Sequence, residues 1–168
     1  MRSRSALLAA MLLLAAASPG ALPPLTVDGW GKIRIGMTEP EVDAALGAKL
    51  SGEPVEPDIA CVEKGTETLP GFTFMFEEGR LTRISLDSDS KVATPRGIAA
   101  GATEEAVRKA YARGLTSEPH TYADPPAEYL TYWTVSGRKG VRFETDEQRI
   151  VRTIHAGGAS IEYVEGCL

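Results

Sequence analysis

Two cysteines, two histidines and a few short polar runs are the residues of this 168-residue chain whose types could do chemistry. Cys61 and Cys167 stand with only His120 and His155 beside them, which gives no cluster at the spacing of a zinc site. In an oxidising compartment the two thiols read as a disulfide closing a loop of roughly 100 residues, worth about 4 to 5 kcal/mol on the chain-entropy argument. Its expected task is to pin residues 161–168 to the first half of the chain. Serine and histidine occur together, but no Gly-x-Ser-x-Gly elbow accompanies them. His120 follows Pro119 in a Pro-rich link and reads as an exposed loop residue, while His155 precedes Ala156-Gly157-Gly158 and reads as a strand end. Asp124 and Asp146 are the acids that could pair with a histidine in space. Asp87-Ser88-Asp89-Ser90 begins like a calcium loop but lacks the glycine and glutamate that complete one, and Gly157-Gly158 lacks the lysine of a phosphate loop. No catalytic residue, metal site or cofactor is predicted, and the chain reads as non-enzymatic.

The elements that must position these residues begin after an N-terminal address. Arg2 and Arg4 precede an apolar run over 6–17, and Ser18, Gly20 and Ala21 offer small residues for cleavage. Prolines at 19 and 24 interrupt the run well short of the about 20 residues a membrane span needs. Residues 1–21 are therefore expected to be a cleavable signal peptide, and 22–168 a single soluble domain of the periplasm or exterior with no membrane insertion. Without Arg2 and Arg4 the 18 basic residues become 16 against 23 acidic ones, a balance of −7. Such a charge argues against nucleic acid as the partner.

An internal repeat organises the rest. Residues 33–50 lie over 98–115 at a constant shift, with Ile33, Gly36, Thr38, Glu39, Val42, Ala45 and Leu50 matching identical residues at Ile98, Gly101, Thr103, Glu104, Val107, Ala110 and Leu115. A second similarity joins 76–84 to 143–154, so the repeats run from about 27 to 90 and about 92 to 160. In the first copy Thr38 and Glu41 have capping-box spacing, Val42, Ala45 and Leu46 make a narrow apolar face, and Gly47 offers a stop. In the second, Thr103 caps, Glu104 and Glu105 suit the helix start, and Val107, Ala110 and Tyr111 face inward before Gly114.

Alternation marks the strands. Phe72, Phe74 and Phe76 share a face, and Thr82, Ile84 and Leu86 follow across a turn. Residues 129–135 and 140–144 make a second hairpin, 149–155 its partner strand and 161–164 a short final strand, while 51–58 and 116–126 read as polar links. The expected fold is α+β: duplicated helix plus antiparallel-strand units forming one sheet, with short helices on one face and the other face open to solvent. Trp133 and the phenylalanine stripe then fill the core, leaving Tyr132 as a surface aromatic suited to a protein partner. The loop carrying Arg138 and Lys139, adjacent positive charges on an acidic chain, is the other expected contact.

The phrase Ile35-Gly36-Met37-Thr38-Glu39-Pro40-Glu41-Val42, with Leu46-Gly47 behind it, resembles the opening helix motif of the small outer-membrane assembly lipoproteins of bacteria. Its duplication, followed each time by strands, is similar to the tandem architecture of the β-lactamase inhibitor protein family. The resemblance implies a β-lactamase inhibitor protein-like fold and a protein partner, met either in envelope assembly or in inhibition of a secreted enzyme. The alternative is a small-ligand or sensory domain using a cavity between helices and sheet, with a hydrolase behind it.

Overall fold

The computed structural model describes residues 22–54, 60–134 and 138–167; the N-terminal run read as a signal lies outside them, as do Val135, Ser136 and Gly137. A short ribbon of β1 (Gly29–Trp30) and β2 (Ile33–Arg34) precedes helix α1 (Glu39–Leu46), which leads into β3 (Cys61–Lys64), β4 (Phe72–Glu77) and β5 (Arg80–Leu86). Helix α2 (Glu104–Ala110) leads into β6 (Leu115–Pro119), β7 (Glu128–Trp133), β8 (Gly140–Thr145) and β9 (Val151–Gly157), and a 3-10 turn over Ala159–Glu162 opens the tail. The architecture is mixed α+β with antiparallel strands. It is not a single sheet: β1 and β2 pair only with each other, apart from a seven-stranded sheet in the order β3-β4-β5-β9-β8-β7-β6. The ribbon stays separate because Trp30 lays its ring on Phe72, with centroids 4.7 Å apart, instead of extending a sheet edge.

Helix α1 starts where the sequence puts it. The Glu41 carboxylate accepts from both the backbone N–H and the hydroxyl of Thr38 at 2.8 Å, and Gly47 closes the helix in the left-handed region at φ 69°. These bonds, the backbone one first, hold the Glu41 carboxyl below its usual range. Each helix then hangs on the last strand of its own half by the same two bonds. Gly36 N–H donates to Leu81 O at 2.7 Å and Leu81 N–H to Met37 O at 2.8 Å; Gly101 N–H donates to Val151 O and Val151 N–H to Ala102 O, both at 2.8 Å.

The two halves meet at β5 and β9, where Ile84 faces Ala156, Ser85 faces His155 and Leu86 faces Ile154. Ser85 and His155 thus sit on a local two-fold axis at the centre of the sheet. The join tolerates only glycine at 157, where a Cβ would stand 2.1 Å from Thr82 O. Beneath the helices Val42, Phe74, Ile84, Val107, Phe143 and Ile154 are fully buried, each worth about 1.5 to 3 kcal/mol of transfer free energy.

The opposite face differs from the open surface expected of it. Met75, Arg83, Ser85, Tyr129, Thr131, Arg142 and His155 are all buried there. The physical reason is cover by chain and by long side chains: the Arg142 guanidinium lies 4.0 Å above the Tyr129 ring, and His120 stacks on the same ring at 4.4 Å. His120 is accordingly half-buried, its Nδ1 accepting from the N–H groups of Tyr122 and Ala123. The phase of β7 is also the reverse of the expected one. Leu130 and Tyr132 turn to the helices, Tyr132 tilting against Tyr111 at 5.2 Å, while Tyr129, Thr131 and Trp133 turn away. Residues 115–119, placed mostly in a polar link by the sequence, form edge strand β6 against β7. Pro119 and Glu118 blunt that edge, and 51–54 cover the other, where Ser51 bridges Gly65.

Candidate functional site

The tail is a turn held from three sides, not the strand that its Ile161-Glu162-Tyr163-Val164 pattern suggests, because only Ile161 of the four is buried. Gly158 N–H donates to Thr82 O at 2.9 Å, which steers the chain back over the second face of the sheet. From that face rises Arg83, whose Nη1 donates to the carbonyls of Ser160 at 2.9 Å and Tyr163 at 3.2 Å while Nη2 meets Glu63 Oε1 at 2.6 Å. A buried guanidinium is costly unless paired and hydrogen-bonded, so Arg83 stabilises the tail only in this one path of the chain. Farther along, the sulfurs of Cys61 and Cys167 lie at a bonded 2.02 Å.

Between tail, β3 and β4 these anchors leave a groove of about 430 Å³ with the disulfide in its wall, lined by Glu77, Glu162, Tyr163, Val164 and Glu165. The Tyr163 hydroxyl donates to Glu77 Oε1 at 3.0 Å, which raises the phenol pKa because its proton is shared with a carboxylate. Tyr122, from the loop between β6 and β7, bonds Glu165 through its hydroxyl and extends the surface. Large apolar side chains are mostly buried in this molecule, yet Tyr122, Tyr163 and Val164 are 62%, 44% and 41% exposed. Among the described residues the groove therefore combines aromatic area, held at low ordering cost, with three carboxylates and no lining cation.

A second constellation lies at the centre of the sheet. Ser85 Oγ is 2.7 Å from His155 Nδ1, and His155 Nε2 is 3.1 Å from Glu144 Oε1. The carboxylate accepts only, so Nε2 carries the proton and Nδ1 accepts from the serine hydroxyl, the polarity of a Ser-His-acid relay. Ser85 and His155 are nevertheless only 8% and 7% exposed. The strand carrying Ser85 is paired on both sides, to Thr73 and His155, so its neighbouring N–H groups serve the ladder and form no oxyanion hole. The trio acts as a satisfied polar core. His155 is thus buried mid-sheet, where the sequence reading had it at a strand end, because it faces Ser85 across the join of the two halves. Asp146 caps a turn, accepting from the N–H groups of Gln148 and Ile150 and pairing with Arg152.

Burial first of all lowers the His155 pKa, against the Glu144 hydrogen bond that raises it. For Glu144 burial is again the largest influence and pushes upward, but the His155 bond and the cations around it prevail, and the carboxyl stays below its usual range. Both folded-state values lie under the unfolded ones, so both contributions are complete above them and fade as pH falls. Stability is expected to be level near pH 7 and to decline from about pH 6.5 downward, by at most about 1.4 kcal/mol per pH unit for the histidine proton. Urea melts between pH 7 and about pH 5, above the carboxylate range, should show the decline in the wild type and not in His155→Gln, which removes the titrating imidazole.

The remaining contacts expected from sequence fall elsewhere. Tyr132 is half-buried, with the Arg96 guanidinium 4.6 Å from its ring. Lys139 Nζ pairs with Asp28 Oδ1 at 2.7 Å, and Arg138 is exposed beside it. Neither lines the tail groove. The groove itself was missed because it joins residues 61, 77, 122 and 165, whose only sequence signal was the cysteine pair. Among the described residues no group of three or more His, Cys, Asp and Glu forms a metal site, and no helix is long and apolar enough to cross a membrane. No family model matches the chain, and no curated protein does. Among solved structures the chain is similar to a DUF4309 family protein (YjgB) from Bacillus subtilis subsp. subtilis str. 168, at 16% identity over 77% of this chain and 84% of that one, with a TM-score of 0.48.

Proposed function

We propose that this chain is a non-enzymatic, exported protein-binding module that uses the tail groove to hold a basic, partly apolar segment of a partner protein. The observation that carries the reading is the gathering of exposed Tyr122, Tyr163 and Val164 around Glu77, Glu162 and Glu165 on a tail fixed by a disulfide and a buried arginine. A surface held in its binding conformation has less ordering entropy to lose on association. Acidic rims attract basic partners and speed their encounter, and the chain's net charge of −5 works in the same direction. The motif at Gly36–Val42 and its tandem repetition support the same role, since they resemble the assembly lipoproteins and the β-lactamase inhibitor protein-like fold; inhibition of a secreted enzyme and envelope assembly both need such a surface.

The test compares proteins retained from an envelope extract by the wild type and by the double variant Tyr122→Ala, Tyr163→Ala. One or more specific proteins held by the wild type should be lost from the variant, by about tenfold or more for two interfacial tyrosines. Identical retention by both, or none by either, would reject the reading.

A further inference from the structure

On the opposite, helix-covered side a smaller cleft of about 180 Å³ opens between residues 25–27, the loop at 94–96 and the β7–β8 hairpin. Leu25, Val27 and Val141 supply its apolar wall, and Thr26, Thr94 and Thr134 complete its lining. The Leu25 N–H donates to Ala93 O at 2.9 Å and so binds the N-terminal strap across the opening. Arg96 forms the lip. Its guanidinium lies 4.4 Å from the centre of the Tyr111 ring and 4.6 Å from that of Tyr132, and Nη1 donates to the Ala110 carbonyl at 2.9 Å.

This arginine is exposed at the lip of the cleft, held there by the two rings and the carbonyl, and has no counterion among the described residues. Arg83, Arg108 and Arg142 each meet a glutamate, whereas no carboxylate among the described residues lies within ion-pair distance of Arg96. Two aromatic faces and a carbonyl fix the plane of its fork, so the remaining donors are pre-set for a bidentate acceptor. One cation without a helix N-terminus or backbone nest suits a singly charged group better than a phosphate dianion. The cleft is also well below the roughly 300 to 1,000 Å³ of a drug-sized site.

We infer that this cleft binds a small monocarboxylate, its carboxylate paired with Arg96 and its short branched or single-ring apolar body among Leu25, Val27 and Val141. The site goes beyond the tail groove and stands or falls without it. Isovalerate and benzoate, with isovaleramide and benzamide as neutral matches, serve as probes in amide-shift titrations of the folded chain. Saturable shifts are expected at Arg96, Tyr111, Tyr132 and Val141 at millimolar acid or below, with the amides weaker by about tenfold or more because a charged hydrogen-bond pair is lost. Arg96→Gln should lose a similar factor, and Arg96→Lys, which keeps charge but not the fork, should fall between. The absence of saturable shifts with either acid, equal binding of acid and amide, or undiminished binding by a folded Arg96→Gln would each overturn the assignment. Should Arg96→Gln not fold, Arg96→Lys and the acid–amide comparison on the wild type decide it.

Discussion

Replacing Cys61 and Cys167 together by serine is expected to lower unfolding free energy by about 4 to 5 kcal/mol, the largest effect of any change away from the apolar core. The bond joins residues 106 apart, and freeing it returns the closure entropy of the loop from 61 to 167 to the unfolded state. The loss should appear in urea melts as a lower midpoint. It should also loosen the tail locally, since Cys167 is buried only as part of this crossing. Proteolysis under native conditions would then cut within 162–167 in the variant and not in the wild type. A loss below about 1 kcal/mol would mean that the tail is held without its covalent tie.

Arg83→Met is expected to cost about 3 kcal/mol. The change removes a buried charge, which alone would stabilise, but it leaves Glu63 without its partner and strips donors from the Ser160 and Tyr163 carbonyls. Glu63 is partly exposed and recovers some hydration, which places the cost at the lower end for a broken buried pair. Because Arg83 and the disulfide hold the same segment, combining the two changes should cost less than the sum of their separate effects. Thermal melts of the single and combined variants check this. Simple addition would show that the two anchors act on independent parts of the molecule.

Local physics made much of this fold legible. Thr38, Glu41 and Gly47 announce α1 because caps are short-range chemistry, and the Phe72, Phe74, Phe76 stripe announces β4 because a buried face must repeat every second residue. What local pattern could not give was cover. In β7, Tyr129, Leu130, Thr131 and Tyr132 alternate two sets of similar apolar weight, so the phase depends on what lies above each face. The structure sets Leu130 and Tyr132 under the helices and hides Tyr129 beneath Arg142 and His120. Charged and polar residues such as Arg83, Arg142 and His155 carry no local signal of burial, and they are buried because each finds partners on strands far away in sequence. Of the candidate site, Cys61 and Cys167 were visible at once; Glu77, Tyr122 and Glu165 are brought together only by the folded tail.

Hydrogen exchange of the chain alone and bound to the protein it retains tests the central claim most directly. Added protection is expected at Glu77, at Tyr122 and across 162–167, with little change along β6 or at Arg138 and Lys139, and the effect should weaken as salt screens the carboxylates. Protection confined to the Arg138 and Lys139 loop, or to the free edge of β6, with the tail unchanged, would contradict it.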